Sequence, residues 1–407
     1  MTIVADILQQ MPGVRQPQRK FLAVLLATIL ALRGRVTGRN LSRYCEYSER
    51  TIARQFRTSF DWPEFHQRVM TTVLDPGAEL ISVQDASFLP KSGKQTFGLG
   101  HFFNSCANRA ERGLELSTLA VVDVARRCAF TLAVVQTPPG KAEARKDKRG
   151  EETRMDFYKQ QLHDQRHRLP AGIRYHCVDG YFAKQKYIDE VVALQLPPIT
   201  KLRHDANCLF LYPGPHPKRR GRRRKYDGKV NFHDLHRFEA LGTLQEKPHI
   251  YLYTAVVWHV SLKRTLRVVV LVNRQNPRPP RYIVLASTDL ALDGHKLVEL
   301  YSARFQIEFL FRDSKQFTGL TDCQSRAEQV LDFHFNAALA TLNLTRVEDL
   351  RIQTDPSSSV FSMASWKQRH FNDRLLDVFI AHLALDPIWV KNHPRYEELR
   401  TYGAIAA

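Results

Sequence analysis

The feature that most constrains this chain is the segment Leu297–Gly319, which is predicted to form a single helix. On one stripe of it, within an arc of about 60° at about 100° per residue, lie Tyr301, Arg304, Glu308 and Lys315. Most other directions carry Leu, Ile or Phe, a pattern typical of a buried helix. Because buried charges need partners, the acid on this stripe predicts a functional site. The alternative is an ordinary i,i+4 ion pair of Arg304 with Glu308 on a solvated face.

The overall charge narrows the class of partner. A formal net charge of +19 favours a polyanion, either nucleic acid or an anionic membrane. The longest apolar run, Phe21–Leu32, is too short to span a bilayer, and we find no signal peptide. Six scattered cysteines without a C-x-x-C pair indicate neither a zinc site nor a disulfide framework. We therefore expect a cytoplasmic, nucleoid-associated protein that binds DNA and not membranes.

Residues 1–75 are predicted to be helical. Two short helices, Arg39–Cys45 and Glu49–Arg57, flank a turn, and Ser48 is the expected N-cap of the second. The second helix carries the candidate DNA contacts Arg50 and Arg54. This arrangement resembles a helix-turn-helix, whose second helix enters the major groove. A small helical bundle with a solvated basic face is the alternative.

Two aspartates occur on predicted strands or at their ends. Alternation in Glu79–Leu89 places Asp85 on the same face as apolar residues, although aspartate is depleted in strands. Asp179 follows the short strand Ile173–Val178, and sites in open α/β sheets gather at the carboxyl ends of strands. A local turn at Asp85 and an Asp-Gly turn at Asp179 are the alternatives.

Residues 203–288 are predicted to form a β-rich insertion, with strands near 250–260, 267–273 and 282–287. The insertion begins with a basic tract that contains Arg219, Arg220, Arg222, Arg223 and Arg224. Such a block of like charge suits phosphate contacts, and a solvated or localisation-like tract is the alternative. Trp258 is the single tryptophan of this segment.

The spacing Tyr-x2-Arg-x3-Glu-x6-Lys at 301–315 resembles the YREK signature of bacterial insertion-sequence transposases. This resemblance implies a DDE triad of Asp85, Asp179 and Glu308. The segment Phe88–Lys94 resembles the one after the first catalytic aspartate, so Lys91 and Lys94 are candidate DNA contacts. One departure is Gln84, because many relatives have a second acid there. In some relatives a tryptophan stacks on a flipped base, which makes Trp258 a candidate; a core tryptophan is the alternative.

The predicted fold class is α/β: an RNase H-like catalytic core with a β-rich insertion, an N-terminal helical DNA-binding domain and a helical C-terminal region. The predicted domains are 1–75 (helical, helix-turn-helix-like), 76–202 (first part of the core), 203–288 (insertion with the basic tract), 289–348 (second part of the core) and 349–407 (helical).

Three carboxylates that meet in a fold repel each other unless cations lie between them, and their hard oxygens select Mg²⁺ or Mn²⁺. Two such ions can activate a water or a 3′-hydroxyl and stabilise the leaving oxygen of in-line phosphoryl transfer. The resemblance implies a transposase that cleaves double-stranded DNA at its terminal inverted repeats through a hairpin intermediate. A homodimer then joins the freed ends to target DNA. Tyr301, Arg304 and Lys315 are expected to hold phosphates near the scissile bond.

Two other functions stay open at this point. One is a non-catalytic DNA-binding protein derived from a transposase. The other is a metal-dependent endonuclease without strand transfer, which would share the same acidic site.

Overall fold

A computed structural model of the protein describes residues 2–140, 152–215, 223–275, 282–353 and 360–405. The N-terminal helices are α1 (Thr2–Gln10), α2 (Gln16–Ala31), α3 (Gly38–Leu41), α4 (Glu49–Gln55) and α5 (Trp62–Thr71). Ser48 caps α4 as predicted, because its hydroxyl accepts the Thr51 N–H at 3.2 Å. The first of the two predicted short helices is wrong in length, since α3 ends at Leu41. Just after it, the Ser42 hydroxyl donates to the Arg39 carbonyl, a local bond that competes with helix continuation.

One large mixed sheet occupies the middle of the described chain. Its strands are β1 (Leu80–Pro90), β2 (Gly100–Asn104), β3 (Arg109–Asp123), β4 (Cys128–Gln136), β5 (Tyr175–Val178), β6 (Pro198–Leu202), β7 (Cys208–Leu211), β8 (Tyr226–Lys229), β9 (Glu239–Leu244), β10 (Lys247–His259), β11 (Arg264–Asn273) and β12 (Tyr282–Ser287). The order is β2-β3-β1-β5-β6-β12-β11-β10-β7-β8, with β4 on β3 and β9 on β10. Strands β1, β5 and β6 are parallel neighbours, and the other pairs are antiparallel.

The segment predicted as an insertion continues the same sheet. Strand β12 pairs with β6, with Ser287 opposite Ile199, so the strands from β7 to β12 extend the sheet that holds β1 and β5. The strands predicted near 250–260, 267–273 and 282–287 correspond to β10, β11 and β12. The domain limits given above remain predictions.

The segment predicted as one helix over Leu297–Gly319 is two helices, α8 (Gly294–Ala303) and α9 (Gln306–Phe317). The chain tightens between them, because the N–H groups of Arg304 and Phe305 bond to carbonyls only three residues back. In the turn before the break, the Ser302 hydroxyl donates to the Val298 carbonyl at 2.7 Å, a bond that bends helices. The single-helix prediction was therefore wrong, and its arc of about 60° does not apply at the break.

The remaining helices are α6 (Arg154–Gln165), followed by a 3₁₀ turn at Arg166–Arg168, then α7 (Gln185–Ala193), α10 (Glu328–Ile352), α11 (Met363–His382), α12 (Pro387–Lys391) and α13 (Tyr396–Arg400). Helix α10 is buried over most of its length and packs on β4, α5 and α2. Helix α11 packs on α2 and α9, so the C-terminal region lies against the N-terminal helices. Among the helices that the structure describes, none combines the length and apolar character that crossing a bilayer requires.

Candidate active site

Two of the three predicted acids lie on neighbouring parallel strands. Strand β1 pairs with β5 up to Gln84 opposite Val178. Asp85 and Asp179 are the residues that directly follow this last pair. Asp179 is thus at the carboxyl end of β5, the edge at which sites of open α/β sheets are found. The register of this pairing brings Asp85 and Asp179 together although they are far apart in the sequence.

Arg304 joins Asp85 to the third acid. Its Nη1 lies 3.8 Å from Asp85 Oδ2, and its Nη2 donates to Glu308 Oε1 at 3.1 Å. Arg304 is only 8% exposed, and the break between α8 and α9 is where its backbone leaves the helix. The ion pair of Arg304 with Glu308 offered as the alternative interpretation is therefore present. It differs from an ordinary surface pair in that Arg304 is buried and its guanidinium also reaches Asp85, while Glu308 is partly exposed.

The pKa of Asp85 shows that both other acids, Asp179 and Glu308, act on it electrostatically. The pKa of Asp85 is raised to about 7, first by burial, then by the Asp179 charge and to a smaller extent by Glu308. Arg304 and the Ala86 N–H, which donates to Asp85 Oδ1 at 2.8 Å, act in the opposite direction. A carboxyl whose pKa is raised by burial and by neighbouring acids is typical of functional sites.

Asp179 has both a turn role and a site role. Its Oδ1 accepts the Tyr181 N–H at 2.8 Å and so caps the 3₁₀ turn Gly180–Phe182. Its backbone carbonyl accepts the Thr200 hydroxyl of β6 at 3.0 Å. A Cβ on Gly180 would lie 2.9 Å from the Lys201 carbonyl oxygen, so the close approach of this turn to β6 requires glycine. The Asp-Gly turn that the sequence offered as the alternative is therefore present, and it fixes the backbone of the acid.

The three acids carry the kind of oxygen ligand that a divalent cation prefers. Three carboxylates offer hard oxygens, and the charges of Asp179 and Glu308, which add to burial in raising the pKa of Asp85, are ones that a cation would offset. Within the described ranges, however, no group of three or more His, Cys, Asp or Glu side chains is arranged to hold a metal ion. Arg304 is the cation between Asp85 and Glu308 here, so metal binding at these acids requires Arg304 or the acids to move.

The other two signature residues contact members of this site: Tyr301 contacts Arg304, and Lys315 contacts strand β1. The Arg304 guanidinium lies 5.3 Å from the centre of the Tyr301 ring, and burial raises the pKa of Tyr301 to about 12. Lys315 Nζ donates to the Phe88 carbonyl at 2.9 Å, and burial lowers the pKa of Lys315. Lys315 therefore holds α9 against the end of β1 beyond Asp85.

The predicted DNA contacts are spread over the molecule. Lys91 donates to the Cys323 carbonyl, while Lys94 is exposed. Arg50 and Arg54 are both exposed on α4. Trp258 is half-buried on β10 with its ring centre 5.8 Å from that of Tyr226, a packing contact that agrees with the alternative interpretation.

The basic tract is described only in part. Arg219, Arg220 and Arg222 lie outside the described residues. Arg223 is exposed. Arg224 lies 4.7 Å over the Tyr212 ring and forms an ion pair with Asp227.

The sequence interpretation missed a buried polar network behind the acids. Gln84 is fully buried; its Oε1 accepts the Tyr187 hydroxyl at 2.6 Å, and its Nε2 donates to Gln161 at 3.0 Å. The Tyr187 oxygen also lies 2.8 Å from Nε2 of His176, whose Nδ1 is 2.8 Å from the Ser82 hydroxyl. These bonds link β1, β5, α6 and α7 directly behind Asp85 and Asp179. The available signal was Gln84, a polar residue that alternation places on the face opposite Asp85.

Comparison with known proteins identifies the family. A family model described as DDE superfamily endonuclease matches residues 7–265, and the chain belongs to that family. The matched segment contains Asp85 and Asp179 and ends before Glu308. Enzymes of this superfamily generally use divalent metal ions.

The wider comparisons add little to this assignment. A solved structure, the cryo-EM structure of the piggyBac transposase synaptic complex with hairpin DNA, is similar to the chain with 12% identity and a TM-score of 0.41. That alignment covers 100% of this chain and 81% of the other. None of the curated proteins matches the chain.

Proposed function

We propose that this DDE superfamily endonuclease is a transposase of the YREK type from a bacterial insertion sequence. It binds the terminal inverted repeats of its element, cleaves them through a hairpin intermediate and joins the freed 3′ ends to target DNA. The observation that carries the proposal is the contact of one buried arginine, Arg304, with both Asp85 and Glu308, while the Asp179 charge acts on Asp85. Asp85, Asp179 and Glu308 are the proposed catalytic triad.

The chain's own groups divide the work as follows. The three acids would hold Mg²⁺ or Mn²⁺, and by analogy with two-metal sites we propose two ions. When bound, these ions would activate the attacking oxygen and stabilise the leaving oxygen. Arg304 carries a planar fork of donors suited to a phosphate, and the Tyr301 ring supports it from one side. Lys315 braces the segment after Asp85, so its role is to fix β1 against α9.

The proposal extends to partners and location. The net charge of +19 supports binding of double-stranded DNA, both element ends and target. We assign the helices of 1–75 to end binding, with Arg50 and Arg54 exposed on α4. The active species is a homodimer on paired ends, and the protein acts in the cytoplasm at the nucleoid.

A plasmid assay tests this function. The substrate is a supercoiled plasmid that carries the DNA flanking the coding sequence on both sides, incubated with the full chain and Mg²⁺ or Mn²⁺. A transposase produces breaks at the element ends and joined products. Breaks without joined products would instead identify an endonuclease without strand transfer. Binding without breaks would leave a non-catalytic DNA-binding protein.

A further inference from the structure

A basic cleft, separate from the three acids, lies where the N-terminal helices meet the loop after α9. It is a cleft of about 460 Å³, and its lining includes Arg35, Arg39, Arg43, Glu49 and Gln324. The three arginines lie between the end of α2 and the start of α4, and none of them was singled out from the sequence. We call this feature the arginine cleft.

The wall of the arginine cleft is held in shape by the protein itself. Asn40 Nδ2 donates to the carbonyls of Arg33 and Arg35 at 2.8 and 2.9 Å. The Val36 N–H donates to Asp322 Oδ2 at 2.8 Å, and the Val36 side chain is buried. These bonds tie the loop before α3 both to itself and to the loop after α9. A ligand would therefore meet a preformed site and would lose little free energy in ordering it.

The charge of the arginine cleft is not balanced from within. Arg39 lies 3.7 Å from Glu49, and both side chains are exposed. For the side chains of Arg35 and Arg43, the described residues provide no hydrogen bond or ion pair. Three arginines against one glutamate leave a local charge of +2. Guanidinium groups gathered in this way suit a phosphate, which accepts paired hydrogen bonds from them.

The arginine cleft is linked to the strand of Asp85 by a hydrogen bond between Lys91 and the loop after α9. Gln324 of the cleft directly follows Cys323, whose carbonyl accepts a hydrogen bond from Lys91. Lys91 in turn directly follows β1, the strand that carries Asp85. Lys91 and the loop after α9 thus join the end of the strand that carries Asp85 to the wall of the arginine cleft.

We propose that the arginine cleft binds a backbone phosphate of the DNA whose scissile bond lies at Asp85, Asp179 and Glu308. The inference rests on the proposed function, because it takes DNA to be the substrate at the acids. It adds a phosphate contact between the end of α2 and the start of α4, separate from Arg50 and Arg54 of α4. The recognised group is the phosphodiester, so the contact is independent of base sequence.

The test compares two charge-matched triple variants of the full chain. One replaces Arg35, Arg39 and Arg43 with Gln. The control replaces Arg174, Arg351 and Arg395 with Gln; these residues are also exposed, and none lines the cleft. Binding of a fluorescein-labelled DNA duplex of mixed sequence is measured by anisotropy over a series of salt concentrations.

The cleft variant should bind more weakly than the control, and its slope of log affinity against log salt should be shallower by about 0.9, the change expected for the loss of one phosphate contact. Slopes equal within error for the two variants would overturn the proposal. A result in which the cleft variant and the control differ only in binding of inorganic phosphate would also overturn it, since the site would then take the free ion.

This outcome can be separated from the fate of the proposed function. A slope change together with no cleavage by the wild-type protein would reject the transposase and keep the cleft as a DNA site. Cleavage by the wild type with no slope change would reject the cleft alone.

Discussion

The Arg304 guanidinium lies 3.8 Å from the Asp85 carboxylate, across the gap between the α8–α9 break and strand β1. The same guanidinium bonds to Glu308 at 3.1 Å, so one positive charge serves two acids. A cation in this position limits the repulsion between the acids of the proposed triad. Arg304 therefore has two proposed partners at different times, the acids in the free protein and a DNA phosphate in the complex.

Replacing Arg304 with Met should destabilise the metal-free protein, because Asp85 then loses a buried positive neighbour. We expect a loss of about 1–3 kcal/mol in the free energy of unfolding, below the usual cost of breaking a buried pair because Glu308 is partly exposed. Denaturant unfolding in EDTA measures it. Arg326→Met, at an exposed arginine bonded to Gln95, is the control. Equal stability of the two variants would show that Arg304 does not offset the acids.

Asp85→Asn should change how stability depends on pH. The folded protein raises the pKa of Asp85 from 3.8 to about 7, so the folded state binds its proton more tightly than the unfolded state does. The stability that the folded protein gains from this tighter proton binding is fully present below pH 3.8 and is lost as the pH rises through about 7. In EDTA, Asp85→Asn should therefore gain stability relative to wild type between these values, by at most roughly 4 kcal/mol. Parallel stability curves for the two proteins would contradict the assignment.

Gly180→Ala should disturb Asp179 through the backbone. The new Cβ would meet the Lys201 carbonyl oxygen at 2.9 Å, so the turn after Asp179 has to move away from β6. A displacement of about 1 Å at a reacting group can cost about a hundredfold in rate. Gly172→Ala is the control, since nothing lies within 4 Å of its added Cβ. Cleavage rates of the two variants are compared, and equal rates would mean that the turn does not position the acid.

Tyr187→Phe should weaken the buried network behind the acids. The hydroxyl bonds to Gln84 at 2.6 Å and to His176 at 2.8 Å, and both partners are fully buried. Leaving their polar atoms unpaired should cost about 1–3 kcal/mol in the free energy of unfolding. Tyr44→Phe is the control, because the described residues offer its hydroxyl no hydrogen bond. A loss no larger than that of the control would show that the network adds no stability.

Local signals in the sequence predicted much of this fold. Alternation predicted β1 to within one residue at each end, and Ser48 marked the start of α4. Strands β7 and β8 were missed because each has only four residues and depends on pairing partners elsewhere in the chain. Short strands of this kind carry too few residues for a periodic pattern.

The candidate site was predictable as a set of residues and not as a geometry. Spacing and resemblance singled out Asp85, Asp179 and Glu308 before the register of β1 against β5 was known. The break at Arg304 was missed because the tightening of the backbone at Arg304 and Phe305 leaves no mark on the apolar pattern of the segment. The arginine cleft was missed for the same reason, since Gln324 reaches it only through the fold.

The most direct test of the central claim is metal-dependent cleavage of a plasmid carrying the element's ends by wild type and by the single variants Asp85→Asn, Asp179→Asn and Glu308→Gln. We predict that each variant loses cleavage by on the order of a hundredfold or more, while its affinity for the same DNA stays close to that of wild type. Normal cleavage by any one variant would contradict the triad, and Glu308→Gln is the most demanding case because the family match ends before that residue.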